Sequence, residues 1–551
     1  MNLSAPQTEL QTSSIAPSEA TGSTLRDRCI AWLENAIFAV IVILVLAIPH
    51  PTRIVLYAFR AIWLLWALRL LFGRNHLRMR PLYLPVFAFV VLVFLATVHS
   101  YEPLLSWDRI ERFTEAFLVL PIAENLRSMR RMKWLVALLL ASSMMSAART
   151  GWQYVHGIGT RLVTVAPGSA LGRSGVLSND IVQAINGHPT RTPEQWREAI
   201  AATRNDAQLH LRLARAWPYY ERVDRVVPRA ALDEWLAWPG AKIARGRPVR
   251  AQGHFYHYVP YAGLMMLLGL IAFGLVLTCP ATRFGLRVVL AGIFAALLAC
   301  LVATVSRAHL GAFLVAALII FCIQVRGPLR MAAVALFVVA VIAGSMWLRK
   351  ERGVSWYSAE DAGTEYRLLM WRDGVRLVRE HPLLGIGPDS EMGDTVRWNL
   401  EAYRRYPLIG HFHSSPVEIA VTCGLPALAA LVWVFAAYFG LLIGYLKRVG
   451  RLAPTRQSFA DPTRLPQELP LPAAQVVSKQ PAIEQPQWFP RGLTLGLLGG
   501  AIALVITSFV HYIVGDAEVM ILVWVMMSLA AAITTSLATD DAGLANTQRP
   551  A

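Results

Sequence analysis

The sequence predicts an all-α polytopic membrane protein of about twelve transmembrane helices, with one small α/β domain and one large polar loop inserted between them. Hydrophobic residues make up 55% of its 551 residues and charged residues only 16%, a balance foreign to water-soluble domains. Apolar runs approaching the roughly 20 residues that cross a bilayer recur along most of the chain. The basic residues behind the net charge of +17 gather in short loops between those runs, a pattern of membrane topology rather than of nucleic-acid binding. Membrane lipids are therefore expected partners and nucleic acid is not.

Residues 1–29, rich in Ser, Thr, Pro and Gln, read as a disordered cytoplasmic tail without the basic n-region or cleavage site of a signal peptide. The first apolar run follows Arg26 and Arg28 and is expected to act as an uncleaved anchor. Runs at 33–49, 54–72, 82–98, 110–123 and 132–150 make an N-terminal block of five helices over 30–150, the fourth weakened by Glu111, Arg112 and Glu115. Runs at 256–278, 286–304, 308–325 and 329–348 make a second block over 256–348. One long run fills 416–446, and two more, 493–512 and 517–537, fill 493–537.

Arg74, Arg78 and Arg80; Arg127, Arg130, Arg131 and Lys133; Arg283 and Arg287; Arg326 and Arg330; and Lys447, Arg448 and Arg451 fall in every second loop. By the excess of positive charge those loops are cytoplasmic. The insertions 151–255 and 349–415 then face the opposite side, the periplasm if the protein sits in a bacterial inner membrane. Residues 447–492 read as a disordered cytoplasmic linker and 538–551 as a C-terminal tail. Cys29, Cys279, Cys300, Cys322 and Cys423 are scattered without C-x-x-C spacing and imply neither a disulfide framework nor a metal site.

A soluble domain is expected over 155–215, followed by a connector over 216–255. Val163 and Val165, Ile181 to Ile185, and Leu209, Leu211 and Leu213 alternate as short strands do, with turns at Pro167-Gly168 and Asn186-Gly187. The string L-V-T-V-A-P-G-S-A, followed by N-D-I and I-N-G, resembles a bacterial PDZ domain of the kind found in envelope proteases. Asn179 stands where that family has Gly before Asp. The resemblance implies a peptide ligand added as a strand at a sheet edge. The carboxylate-binding loop of that family has only Gly157-Ile158-Gly159 as a counterpart, so a spacer without a ligand is the alternative. An intramembrane metalloprotease is excluded, because no His is followed by Glu as H-E-x-x-H requires. The G-x-S-G string at Gly172 to Gly175 lies in a strand-connecting turn without a paired base.

The polar island from Thr364 to Pro426 is where the chemistry is expected. Arg367-Leu-Leu-Met-Trp371, His381-Pro-Leu-Leu-Gly-Ile-Gly387, and His411-Phe-His413-Ser414 with Glu418 and Gly424-Leu-Pro426 resemble the O-antigen ligase and O-antigen polymerase-like superfamily. Ser306-Arg307-Ala308, Arg250 in R-A-Q-G-H-F, and His511-Tyr-x-x-Gly-Asp516 fit the same pattern. Ser414 departs from it, standing where the family prefers Asn. By this resemblance the chain moves a glycan from an undecaprenyl-diphosphate carrier to an acceptor hydroxyl of lipid A core, another glycan or a protein, without metal or cofactor.

Such a transfer needs fixed cations at the leaving diphosphate and a base for the incoming hydroxyl. Arg suits the first, with a planar fork that meets phosphate oxygens in pairs, and Arg250, Arg307 and Arg367 are the candidates. His suits the second, and His413 is the first choice, with His411 beside it. Glu418, Ser414, His511 and Asp516 are expected to support them. A polymerase, a protein O-oligosaccharyltransferase whose insert recruits the acceptor, and a non-enzymatic envelope scaffold or sensor are the alternatives.

Overall fold

The structure is a computed structural model that describes residues 25–50, 53–72, 80–215, 221–248, 250–352, 362–406, 410–452 and 487–547. Most of the expected N-terminal tail and interhelical linker, and the last residues of the C-terminal tail, lie outside the described residues. Where the edges of those segments are described they are helical: α1 (Leu25–Ala47) starts inside the expected tail, and the last helix runs on to Thr547.

α1 pairs with α2 (Arg53–Phe72), and α3 (Tyr83–Val98) follows. The expected helix over 110–123 is not continuous. It is replaced by α4 (Pro103–Thr114), a 3-10 turn at Glu115–Leu118 and α5 (Val119–Asn125). Glu111, Arg112 and Glu115 interrupt its apolar character, and α4 buries only Ser106 and Phe113. Arg69 of α2, inside the bundle, bonds Glu34 of α1 at 2.9 Å and Glu124 of α5 at 3.4 Å, so the buried cation is answered on both sides. α6 (Met129–His156) starts at Ser128, whose hydroxyl accepts from the Arg131 N–H at 3.2 Å.

The inserted domain is a six-stranded antiparallel sheet with three short helices: β1 (Gly159–Leu162), α7 (Ala170–Arg173), β2 (Ile181–Ile185), β3 (His188–Pro189), α8 (Pro193–Ala202), β4 (Gln208–Arg215), β5 (Glu221–Pro228), α9 (Arg229–Ala237) and β6 (Ile243–Gly246). The strand order is β5-β4-β2-β1-β6, with β3 on β2. Leu209, Leu211 and Leu213 point inward from β4 to meet Val182, Ile185, Trp196 and Trp235. Asn186 (φ 48°) and Gly187 (φ 85°) form the tight turn between β2 and β3.

The domain does not end at residue 215. β5 pairs with β4 from Gln208 opposite Pro228 to Arg215 opposite Glu221, α9 contributes Ala231, Leu232 and Trp235 to the core, and β6 pairs with β1. The expected connector is thus largely part of the sheet. Gly157-Ile158-Gly159 forms the neck of the domain: the Gly157 N–H caps α6 on the Gln153 carbonyl, and the Ile158 N–H donates to Gly246 at 2.8 Å.

After the insert come α10 (Tyr258–Thr278), α11 (Phe284–Ala303), α12 (Arg307–Gln324), α13 (Pro328–Arg352), α14 (Ala362–Glu380), α15 (Ser390–Gly393), α16 (Thr395–Trp398), α17 (Glu401–Arg405), α18 (Ser415–Leu452), α19 (Trp488–Ser508) and α20 (Ala517–Thr547). α10 and α19 touch through glycines, and a Cβ on Gly274 would stand 2.4 Å from the Gly492 carbonyl and 2.5 Å from the Gly496 nitrogen. Small residues allow this approach where helices associate without a hydrophobic driving force. Among the described residues nine helices are long and apolar enough to cross a membrane, which does not confirm the expected count of about twelve. The three remaining expected spans are α3, which is apolar but short, α6, which is long but polar along one side, and the broken α4–α5 segment.

Candidate active site

The site is built where α18 breaks. Gly424 has φ 85° inside α18, and Pro426 offers no N–H to continue the ladder. The loop after α14 fills the gap: the Ile386 and Gly387 N–H groups donate to the Val421 and Thr422 carbonyls at 2.9 Å each, and the Leu425 N–H donates to Pro382 at 2.8 Å. A Cβ on Gly385 would lie 2.4 Å from the Val421 carbonyl oxygen, and one on Gly424 2.1 Å from that of Leu383. The H-P-L-L-G-I-G and G-L-P strings are therefore two halves of one joint.

Above the joint, the His411-Phe412-His413 loop is held at its centre. The Phe412 N–H donates to Glu418 Oε2 at 2.7 Å, and its carbonyl accepts from the Trp371 indole at 3.0 Å. His411 and His413 flank this pinned residue with ring centroids 4.4 Å apart, and His413 adopts φ 52°. Ser414 is buried, and its carbonyl accepts from the Glu418 N–H at 2.8 Å. Its neighbour Ser415 clamps the loop before α20, donating to the His511 carbonyl at 3.1 Å and accepting from the Ile513 N–H at 3.0 Å.

A row of rings then crosses the end of the bundle. The Ser306 hydroxyl bonds His309 Nδ1 at 2.8 Å, His309 lies 5.0 Å from His511, and Tyr512 lies 5.2 Å from His411. Arg307 opens α12 beside Ser306, after Val305 in a left-handed conformation (φ 53°). Arg250 lies over the Tyr258 ring at 4.2 Å, and the next residue, Ala251, donates its N–H to Ala303 at the end of α11 at 2.9 Å. The segments bearing Arg250 and Arg307 thus meet at one junction. Arg367 of α14 stands close enough to His411, His413 and His511 for its charge to act on all three.

Burial drives the imidazoles neutral. It lowers His413 to about 2, helped by the charges of His411 and Arg367, and it lowers His411 to about 4, helped by Arg109 and Arg367. Acids move the other way. Burial raises Glu391 to about 7 against the opposing Arg109, and raises Asp516 to about 7 with Glu518 adding to the effect.

Asp389, Glu391 and Glu418 are all buried, and each offers an oxygen within 4.8 Å of the others. Oxygen donors of this kind suit a hard cation such as Mg²⁺ or Ca²⁺. Asp389, however, is already bonded to the Arg109 guanidinium, and the Glu391 and Glu418 carboxyls face each other, an arrangement that a shared proton also satisfies. Beside this cluster a cavity of about 150 Å³ opens between α4 and the loop before α20, with Arg109, Arg112, Asp389, His411, Tyr512 and Asp516 in its wall.

The family model described as O-antigen ligase matches residues 291–432, and the PDZ domain model matches residues 161–215. The chain thus carries a segment similar to O-antigen ligases and, upstream of it, one similar to PDZ domains. No curated protein matches it. The ligase match supports a ligase- or polymerase-like function in surface-glycan synthesis, in a multi-pass membrane protein.

The ligase segment contains Arg307, Arg367, His411, His413, Ser414 and Glu418, whereas Arg250, His511 and Asp516 reach the same place from outside it. The structure brings all nine to one end of the bundle. Sequence reasoning passed over Arg109, Arg112, Asp389, Glu391, Trp371's bond to Phe412, and Ser415. Arg112 read only as a charge spoiling a span and Arg109 was not singled out, since no local spacing links it to Asp389, 280 residues away.

Proposed function

We propose that the protein is a metal-independent glycosyltransferase that moves a glycan from undecaprenyl diphosphate to an acceptor hydroxyl at the periplasmic face of a bacterial inner membrane. The observation that carries this reading is the pinned His411-Phe412-His413 loop within the charge field of Arg367. Arg367, with Arg250 and Arg307 at the neighbouring junction, neutralises the diphosphate as it leaves. His413, neutral because it is buried, takes the proton of the attacking hydroxyl, and the negative charge of a bound diphosphate strengthens it as a base. His411 and the Glu418 carboxyl, through its bond to the Phe412 N–H, fix its position. The acceptor is lipid A core or another surface glycan, and the PDZ domain supplies an edge strand through which a polypeptide partner docks.

The test is transfer from a purified polyprenyl-diphosphate-linked glycan, with binding and turnover scored separately. His413→Ala is expected to keep donor binding and slow transfer on the order of 100- to 10,000-fold, the range for a lost general base. Near-normal turnover would remove His413 from the base role, and a requirement for added divalent metal would contradict the mechanism.

A further inference from the structure

We infer that the cavity between α4 and the loop before α20 is a subsite for one uncharged sugar ring, a reading that rests on the glycosyl transfer proposed above. Its volume of about 150 Å³ is the size that accommodates a single six-membered ring. Its wall is polar, so the fitting ring is hydroxylated rather than aromatic.

Charge decides between a sugar and a phosphate. Arg109 and Arg112 stand three residues apart on α4 and so share a face of that helix. Neither is an open anion site. Arg109 is bonded to Asp389 and also lies in the field of Glu391 and Glu418. Arg112 donates to the Gly515 carbonyl at 2.7 Å and shares the cavity wall with Asp516. A phosphate or uronic acid placed here would meet the Asp389 carboxylate on one side and the Gly515 carbonyl oxygen on the other, with both guanidinium groups already engaged, whereas a sugar hydroxyl donates to a carboxylate and accepts from a guanidinium with the same oxygen. Tyr512 and Phe113 offer the ring edges and faces on which the apolar side of a pyranose rests. His411 lines the cavity and lies 4.4 Å, ring to ring, from His413, which sets the bound sugar beside the proposed base. The diphosphate belongs to the separate arginine group of Arg250, Arg307 and Arg367.

The ring is either the first sugar of the donor or the terminal sugar of the acceptor, since both present the same hydroxyls. Transfer kinetics with donor and acceptor varied in turn separate them. Arg112→Gln is expected to raise the KM of one substrate about tenfold, the usual loss for one charge-assisted hydrogen bond, with little change in kcat. The substrate affected identifies the source of the ring. Met392→Phe, which fills the cavity, should abolish transfer while binding of undecaprenyl diphosphate without a glycan persists. If Met392→Phe does not give a monodisperse protein, Arg112→Gln decides alone. A donor whose first sugar is glucuronic acid, or an acceptor ending in it, should be used poorly when that sugar must enter the cavity. A wild type that transfers while both variants keep its KM and kcat would overturn the subsite alone. A wild type that transfers nothing would overturn the transferase reading and the subsite with it.

Discussion

His413, Asp389 and Val305 all sit at the site with positive φ, at 52°, 59° and 53°. Such conformations cost a non-glycine residue free energy, most for a β-branched one, and persist where surrounding contacts over-determine them. Asn179 is different: its φ of 68° explains why glycine is expected there, and Asn is one of the few side chains that tolerates it. Glu391 yields a prediction at this scale. Burial raises it from its ordinary 4.5 to about 7, so between those values the folded protein holds a proton that the unfolded chain has released. Its contribution to stability is complete below pH 4.5 and is lost as pH rises through 7. The denaturation midpoint of the purified protein should fall from pH 5 to pH 8, and Glu391→Gln should flatten that slope; an unchanged slope in the variant would be contrary evidence. The histidines were legible because H-F-H is a local string. Glu391 was not, because its partner Glu418 belongs to another helix and only the fold sets them face to face.

At the scale of elements, the decisive one is the interrupted α18. Gly424→Ala would place a methyl group 2.1 Å from the Leu383 carbonyl oxygen at a φ that L-residues avoid. With ψ 169° this is a region open essentially to glycine alone, the strained backbone costs about 1–3 kcal/mol, and displacing the docked loop adds to it. The variant is expected to show a clearly lowered Tm by thermal shift together with loss of transfer, and a wild-type Tm would show that the joint is dispensable. The sequence displayed both halves of the joint as strings without showing that they meet. It also flagged the broken α4–α5 segment through Glu111, Arg112 and Glu115. β5 stayed hidden, because charged residues crowd a strand that buries little beyond Val223 and Val227.

For the whole molecule, the alternation of basic loops predicts sidedness. Reporter fusions after Arg215 and after Trp398 should both read as extracytoplasmic and one after Arg464 as cytoplasmic; a cytoplasmic signal after Arg215 would overturn the placement of the PDZ domain. Hydropathy was a weaker guide to the number of spans. α6 carries Ser142, Ser146, Thr150 and Gln153 on its buried side, where Ser142 bonds the Leu46 carbonyl at 2.6 Å and Thr150 bonds Tyr261 at 2.7 Å. Polar groups satisfied inside a bundle lower a helix's apparent affinity for lipid without exposing it to water.

The neck of the inserted domain bears on how the protein assembles. β1 and β6 lie side by side, with Gly159 opposite Gly246, so the chain leaves the domain within one strand spacing of where it entered. An unstructured segment of that length between α6 and α10 would cost about 4 kcal/mol to close. A domain that folds as it emerges delivers α10 to α6 nearly as a sequence neighbour would be. Damage to its core should then be worse than its absence. Trp196→Ala, which empties part of that core, is expected to reduce the yield of assembled membrane protein more than replacing residues 158–246 with a short Gly-Ser linker. If the deletion proves the more harmful, the insert contributes contacts to the bundle and not merely proximity.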